Sequence, residues 1–290
     1  MLPMEKTLDF KLIGRPIDTL LIAFDNTLQR EWPAKWQGLN DARLLVHGSV
    51  AVNATTYQLI KFLCKDRFID PFQTRKFVTS IPPLTRSILD SLFALVFLFD
   101  DVPAKSEMFA KGGWRELCEE TERTERDYGS NPKWIEALKK RREYMEAMRA
   151  ARNLPPCGPE ASRLPFWPTP GQMIRSNQLS DDRKQYLTYL NDWYYRDLSS
   201  SAHLSFPGLI LRSKPLLTWL GDDESTEVDL KFLRGVFMTQ TLCLLLALLS
   251  EVQIEARFAF ADRLKYVWRI LVEHFDVAKE IYEIRYEPRL

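Results

Sequence analysis

The chain has 290 residues, 46% of them apolar and 27% charged, and a formal net charge of +1. That length buries a sizeable core as one large domain or two modest ones. The near-neutral charge excludes a global pull toward nucleic acid or membrane and leaves only local patches to provide one. Eleven glycines in the whole chain, against many Leu, Ala, Glu, Lys and Arg, lean toward helix. Cys64, Cys118, Cys157 and Cys243 stand far apart, with no CxxC pair and no Cys/His cluster. That pattern argues against a zinc site or a disulfide framework and fits a reducing cytoplasm. The opening MLPMEKTLDF has no apolar core, so no signal peptide is expected.

Residues 1–38 read as a mixed, partly irregular lead-in, with a short helical pattern over 17–28 that Trp32-Pro33 interrupts. Helix is expected over 40–66, broken near His47-Gly48 with Ser49 as a new N-cap. Val52, Tyr57, Ile60 and Leu63 or Cys64 recur there at near-helical spacing. His47 is expected to contact the backbone at the break. Pro82-Pro83 opens the next helix, which Asp100-Asp101 and Pro103 close. Its apolar run over 92–99 predicts burial on nearly all sides and is too short to cross a bilayer. Arg86 and Asp90 stand four apart on one face near its start. They form a plain intrahelical ion pair if exposed, and a specific polar feature of the core if buried.

Residues 105–152 read as two polar helices joined near Tyr128-Gly129-Ser130-Asn131-Pro132, the first acidic on balance. The second sets Lys133, Lys139, Lys140, Arg141, Arg142, Arg149 and Arg152 against Glu136, Glu143 and Glu146, a local surplus of four. Such a patch suits phosphates, or serves as the mate of the acidic helix. The proline-rich stretch 154–178 is incompatible with regular helix or central strand. Phe166-Trp167 suggests that part of it packs down on the domain, and Ser180 is expected to N-cap the helix that follows. A short helix is expected after Pro207-Gly208, ending at Leu220. Thr226 and Asp229 then open a helix over 228–260. Its apolar stretch 236–249 reads as core or subunit interface, being too short and polar for a membrane span. An amphipathic helix is expected over 261–286, with His274 at the surface or facing a partner.

Chemistry concentrates in Tyr194-Tyr195-Arg196-Asp197-Leu198-Ser199-Ser200-Ser201-Ala202-His203. Arg196 and His203, seven apart, return to one helical face two turns along, and Asp197 stands beside the arginine. A cation and an imidazole so placed hold a phosphate and move a proton next to it. The plainer alternative is a helix ending ahead of Pro207-Gly208, with His203 answering its last carbonyls. No Walker loop, dinucleotide fingerprint, nucleophile elbow or HExxH pair occurs. Three scattered histidines do not suggest a metal site, so no metal or cofactor is expected.

The run from Arg196 to His203, with six residues between, resembles the R-x4-6-H signature of the HEPN superfamily of small helical bundles. A second resemblance is to an uncharacterised bacterial all-helical family in which Arg-x-x-x-Glu/Asp precedes Tyr-x-x-Leu-Ser-x-x-x-His. Here Arg86 and Asp90 match the first pattern, and Tyr195, Leu198, Ser199 and His203 match the second. The HEPN resemblance implies a metal-independent ribonuclease of toxin or phage-defence type, working as a homodimer. Arg196, His203 and Asp197 would then be its catalytic residues, and Arg86, Asp90, Tyr195 and Ser199 would contact the RNA. The alternative is a non-catalytic helical module that binds a protein partner. The architecture expected is an all-α bundle of roughly eight helices. It forms a single domain over 1–290, with a projecting hairpin and proline-rich loop inserted at 103–178. The protein is expected in the cytoplasm, away from membranes.

Overall fold

In the computed structural model, described over residues 10–64, 77–202 and 223–290, the chain is helical, with no strand among those residues. Eleven α-helices follow one another among the described residues, nine of them with seven residues or more. They are α1 (Phe10–Arg30), α2 (Asn40–Leu63), α3 (Ile81–Leu98), α4 (Val102–Tyr128), α5 (Pro132–Arg152) and α6 (Pro170–Arg175). After them come α7 (Asp181–Leu190), α8 (Arg196–Ala202), α9 (Asp223–Ala256), α10 (Ala261–Val272) and α11 (Asp276–Ile281). The chain divides into two compact units, Met1–Asp100 with Met173–Leu290, and Asp101–Gln172.

The first unit is built around α3 and α9, which pack on each other, with α2 and α8 also against α3. α3 and the 236–249 stretch of α9 are apolar on nearly every side, so no narrow stripe has to be aligned for them to meet. Ile88, Leu89, Leu92, Phe93, Val96 and Phe97 of α3 are buried, as is the run from Leu242 to Leu249 on α9. A buried hydroxyl pair, Thr85 to Thr241 at 2.9 Å, satisfies polar atoms between the two helices. By length and composition alone, Ile81–Leu98 and Phe232–Ala256 are each able to cross a membrane, contrary to the lengths expected from the apolar runs. In the fold 61% of each window is buried against protein, as in core helices.

Several local expectations are corrected. α1 begins at Phe10 and contains Pro16, so the lead-in is more helical than its pattern indicates. α2 runs unbroken through Gly48, and Ser49 is buried inside it. A helix-interior glycine costs about 1 kcal/mol, which the packing of Val46, Val50, Asn53 and Tyr57 outweighs. His47 reaches the Asp25 carboxylate at 2.9 Å instead of backbone. Ser180 takes the expected N-cap position of α7, but its hydroxyl makes no cap bond there and donates to Asp100 at 2.6 Å instead. The long C-terminal helix breaks at Glu273–Phe275, where His274 Nδ1 lies 2.8 Å from the Ile270 carbonyl. The helix expected at 209–220 lies outside the described residues.

A buried ionic group locks the end of the first unit. Arg285, 2% exposed, forks onto the fully buried Glu251 at 2.8 and 3.0 Å, and its third nitrogen donates to Asp182 at 2.9 Å. Tyr286 donates to the same glutamate at 3.1 Å and pairs with the Tyr186 hydroxyl at 2.7 Å. A π-helical turn, Tyr282–Tyr286, turns both Arg285 and Tyr286 inward.

The second unit holds the α4–α5 hairpin and the proline-rich segment. Trp114, Cys118, Met145 and Ala161 form its small buried cluster. The Trp114 indole donates to the Pro155 carbonyl at 2.9 Å, and the Arg115 guanidinium lies 3.4 Å over the Phe166 ring. Gly112 is required here, because a Cβ would come within 2.5 Å of the Trp167 nitrogen. Cys118 and Cys157 form a disulfide, their Cα atoms 5.3 Å apart. This overturns the reading that widely spaced cysteines leave no cross-link. A separation of 39 residues does not keep the α4 cysteine from the returning segment, because α5 folds the chain back between them.

Candidate functional site

The helix α7 does not run straight into α8. Five residues, Asn191–Tyr195, form a π-helical turn between them. Such a turn carries one residue more than an α-helical turn and rotates everything after it. Tyr194 and Tyr195 consequently face the core side, while Trp193 and Arg196 face solvent, 63% and 74% exposed.

On the inner side, Arg86 of α3 meets Tyr195. Its guanidinium lies 3.8 Å from the ring centroid, and Nη2 donates to the phenol oxygen. Nε donates to both oxygens of Asp90 at 3.3 Å. The Arg86 side chain is only 13% exposed, and its Nη1 is buried without a hydrogen-bond partner. Phe93 closes the other side, its ring centroid 5.7 Å from that of Tyr195. Burial raises the Tyr195 phenol above its ordinary value, with Arg86 opposing the effect and Asp90 adding to it. The phenol is therefore a neutral donor and acceptor at any physiological pH. Next to it, Tyr194 is buried with its hydroxyl unpaired, and burial lifts its pKa well above the usual phenol value.

The fold thus brings Arg86, Asp90 and Tyr195 together, and sets Arg196 apart from them on the solvent side. Arg196 has Asp192 at 3.4 Å, a loose i,i+4 pair. Ser199 is half-buried on α8, beside the buried Leu198. The side chain of Asp197, and His203 entirely, lie outside the described residues. Sequence reasoning missed Trp193, the exposed ring three residues before Arg196. The one available signal is the run Trp193-Tyr194-Tyr195, too many rings for a single helical stripe to bury. Among the described residues no group of three or more His, Cys, Asp or Glu side chains converges to hold a metal.

Chemically, the outer face offers an exposed cation beside an open indole, a pairing suited to a phosphate next to an unstacked base. The inner cluster offers a positioned, buried clamp on the π turn. No protein-family pattern, curated protein or solved structure matches the chain.

Proposed function

We propose that the chain is a metal-independent, HEPN-like ribonuclease that acts as a homodimer through the face carrying Arg196. The observation that carries this reading is the solvent-facing Arg196 guanidinium beside the open Trp193 indole, both released from the core by the π turn. In the proposed reaction His203 takes the proton of a ribose 2′-hydroxyl, whose oxygen attacks the adjacent phosphorus. The 5′-oxygen leaves with a proton returned to it, and a 2′,3′-cyclic phosphate remains. Arg196 stabilises the extra negative charge on the phosphorane-like transition state, and Asp197 orients one of the pair. Arg86, Asp90 and Tyr195 act in this scheme by holding the turn rather than by touching RNA. Incubation of mixed RNA with the protein in excess EDTA tests the reading. Cleavage that Arg196→Ala abolishes supports it, and intact RNA with the unaltered protein counts against it.

A second reading, a non-catalytic module that binds a protein partner, has its own support. Arg86 is closed over Tyr195 and Asp90 as a structural clasp, and Arg196 is paired within its own helix. Under it, Arg196→Ala changes partner capture and no RNA is cut. Both readings place the protein in the cytoplasm with α3 and α9 as core helices. A cytoplasmic setting carries a consequence, since disulfides there are transient: Cys118–Cys157 would then cycle between its oxidised and reduced forms.

A further inference from the structure

The turn joining α4 to α5 presents two aromatic rings to solvent as a stacked pair. Tyr128 and Trp134 lie 5.1 Å apart between centroids at 26°, and remain 47% and 43% exposed. Neither ring belongs to the small core of the unit, where Leu117, Met148, Leu154 and Leu164 pack around Trp114, Cys118, Met145 and Ala161. The cations nearby differ sharply in how they are used. Arg141 pairs with Glu120 at 3.0 Å, Arg142 with Glu125 at 2.5 Å and Arg149 with Glu146 at 2.6 Å, so these three are neutralised. Arg126, Lys133 and Lys139 are exposed and have no carboxylate partner among the described residues. Lys140 has only a loose 3.8 Å pair with Glu136, both largely in water. Asp127 is the remaining acidic side chain at the turn itself. On α5, Lys133, Lys140 and Tyr144 follow at i, i+7 and i+11, which sets them along one flank over about 16 Å.

We propose that this surface binds single-stranded nucleic acid, with bases stacking on the Tyr128–Trp134 pair and phosphates meeting Arg126, Lys133 and Lys140. Stacking platforms flanked by unpaired cations are the general solution for sequence-tolerant binding of single strands, because every base has a face and every linkage a charge. A membrane surface is the less suitable partner. The aliphatic side chains of α5, Leu138, Met145 and Met148, are turned inward, and Ile135 is the one large aliphatic side chain exposed on it. That leaves little to insert among acyl chains. The inference goes beyond the cleavage reading, for binding here requires nothing of Arg196 or His203.

The test uses the full chain and a fluorescent oligodeoxythymidylate of about 12 nucleotides, which lacks the 2′-hydroxyl that the proposed cleavage needs. Tyr128→Ala with Trp134→Ala should weaken binding at least about tenfold without moving the melting temperature. Lys133→Gln with Lys140→Gln should lower the slope of log affinity against log salt by about 1.4, two phosphate contacts on a single strand. Ring variants that bind normally would overturn the proposal. So would a salt slope that the lysine changes leave unmoved, or binding to phosphatidylserine vesicles with none to the oligonucleotide. Loss of RNA cleavage with DNA binding intact would separate failure of the cleavage reading from failure of this one.

Discussion

Arg86 and Arg196 carry the same charge in opposite surroundings, and the difference decides what each substitution does. Arg196 is held by one loose pair in water, worth roughly a few tenths of a kcal/mol, so Arg196→Ala should leave the melting temperature unchanged. Under the ribonuclease reading it should lower cleavage by about 100-fold or more, the usual effect of losing one transition-state donor. Arg86 is nearly buried, and Arg86→Ala strips the donor from Tyr195 and the counter-charge from Asp90. A loss of about 1–3 kcal/mol in denaturant unfolding is expected. Glu251→Gln should cost more, about 3–5 kcal/mol, because it leaves the Arg285 guanidinium buried with its main counter-ion gone. A variant as stable as the parent would show that the Asp182 pair alone suffices for Arg285.

At the scale of elements, the disulfide is the feature with the clearest consequence. It links residues 39 apart around the α4–α5 hairpin, in a unit whose buried cluster has Trp114, Cys118, Met145 and Ala161 as members. Chain-entropy reasoning puts its contribution at about 4 kcal/mol. Cys118→Ser, or reduction, should therefore raise amide exchange across 102–172 while the α3–α9 pair stays protected; equal protection before and after reduction would refute this. Most helices are legible from period and punctuation: the apolar runs locate α3 and α9, and proline and asparagine mark the α4–α5 turn. What escapes is of a different kind. Continuity of α2 through Gly48 depends on tertiary packing, which overrides a local breaker. The two π turns depend on where the inward side chains find partners, Arg86 for Tyr195 and Glu251 for Arg285. The Cys118–Cys157 link depends on the chain folding back, which spacing does not encode. Around the candidate site, Arg86, Asp90 and Tyr195 are identifiable as a polar group on apolar helices. The outward turn of Arg196 is not, because an uninterrupted helical period puts it elsewhere.

For the molecule as a whole, acid stability should be set at one corner of the first unit. Burial works against the charge of Asp182, but hydrogen bonds from Arg289 and Arg285 hold its carboxyl well below the usual carboxylate range. A carboxyl so depressed contributes stability that is complete above its unfolded value of about 3.9 and is lost as pH falls toward the folded value. Melting temperature should thus be flat from about pH 7 to about 5 and fall below about pH 4, with Asp182→Asn flattening that fall. An identical acid limb in the variant would assign the effect to other carboxylates. The function itself is tested most directly by the ends left on RNA. A short RNA incubated with the protein and excess EDTA should yield fragments ending in 2′,3′-cyclic phosphate. The same strand with 2′-deoxy sugars should stay whole, and Arg196→Ala and His203→Ala should each abolish cutting while keeping the parent's melting temperature. RNA left intact by the unaltered protein, or cut equally well by both variants, would contradict the account.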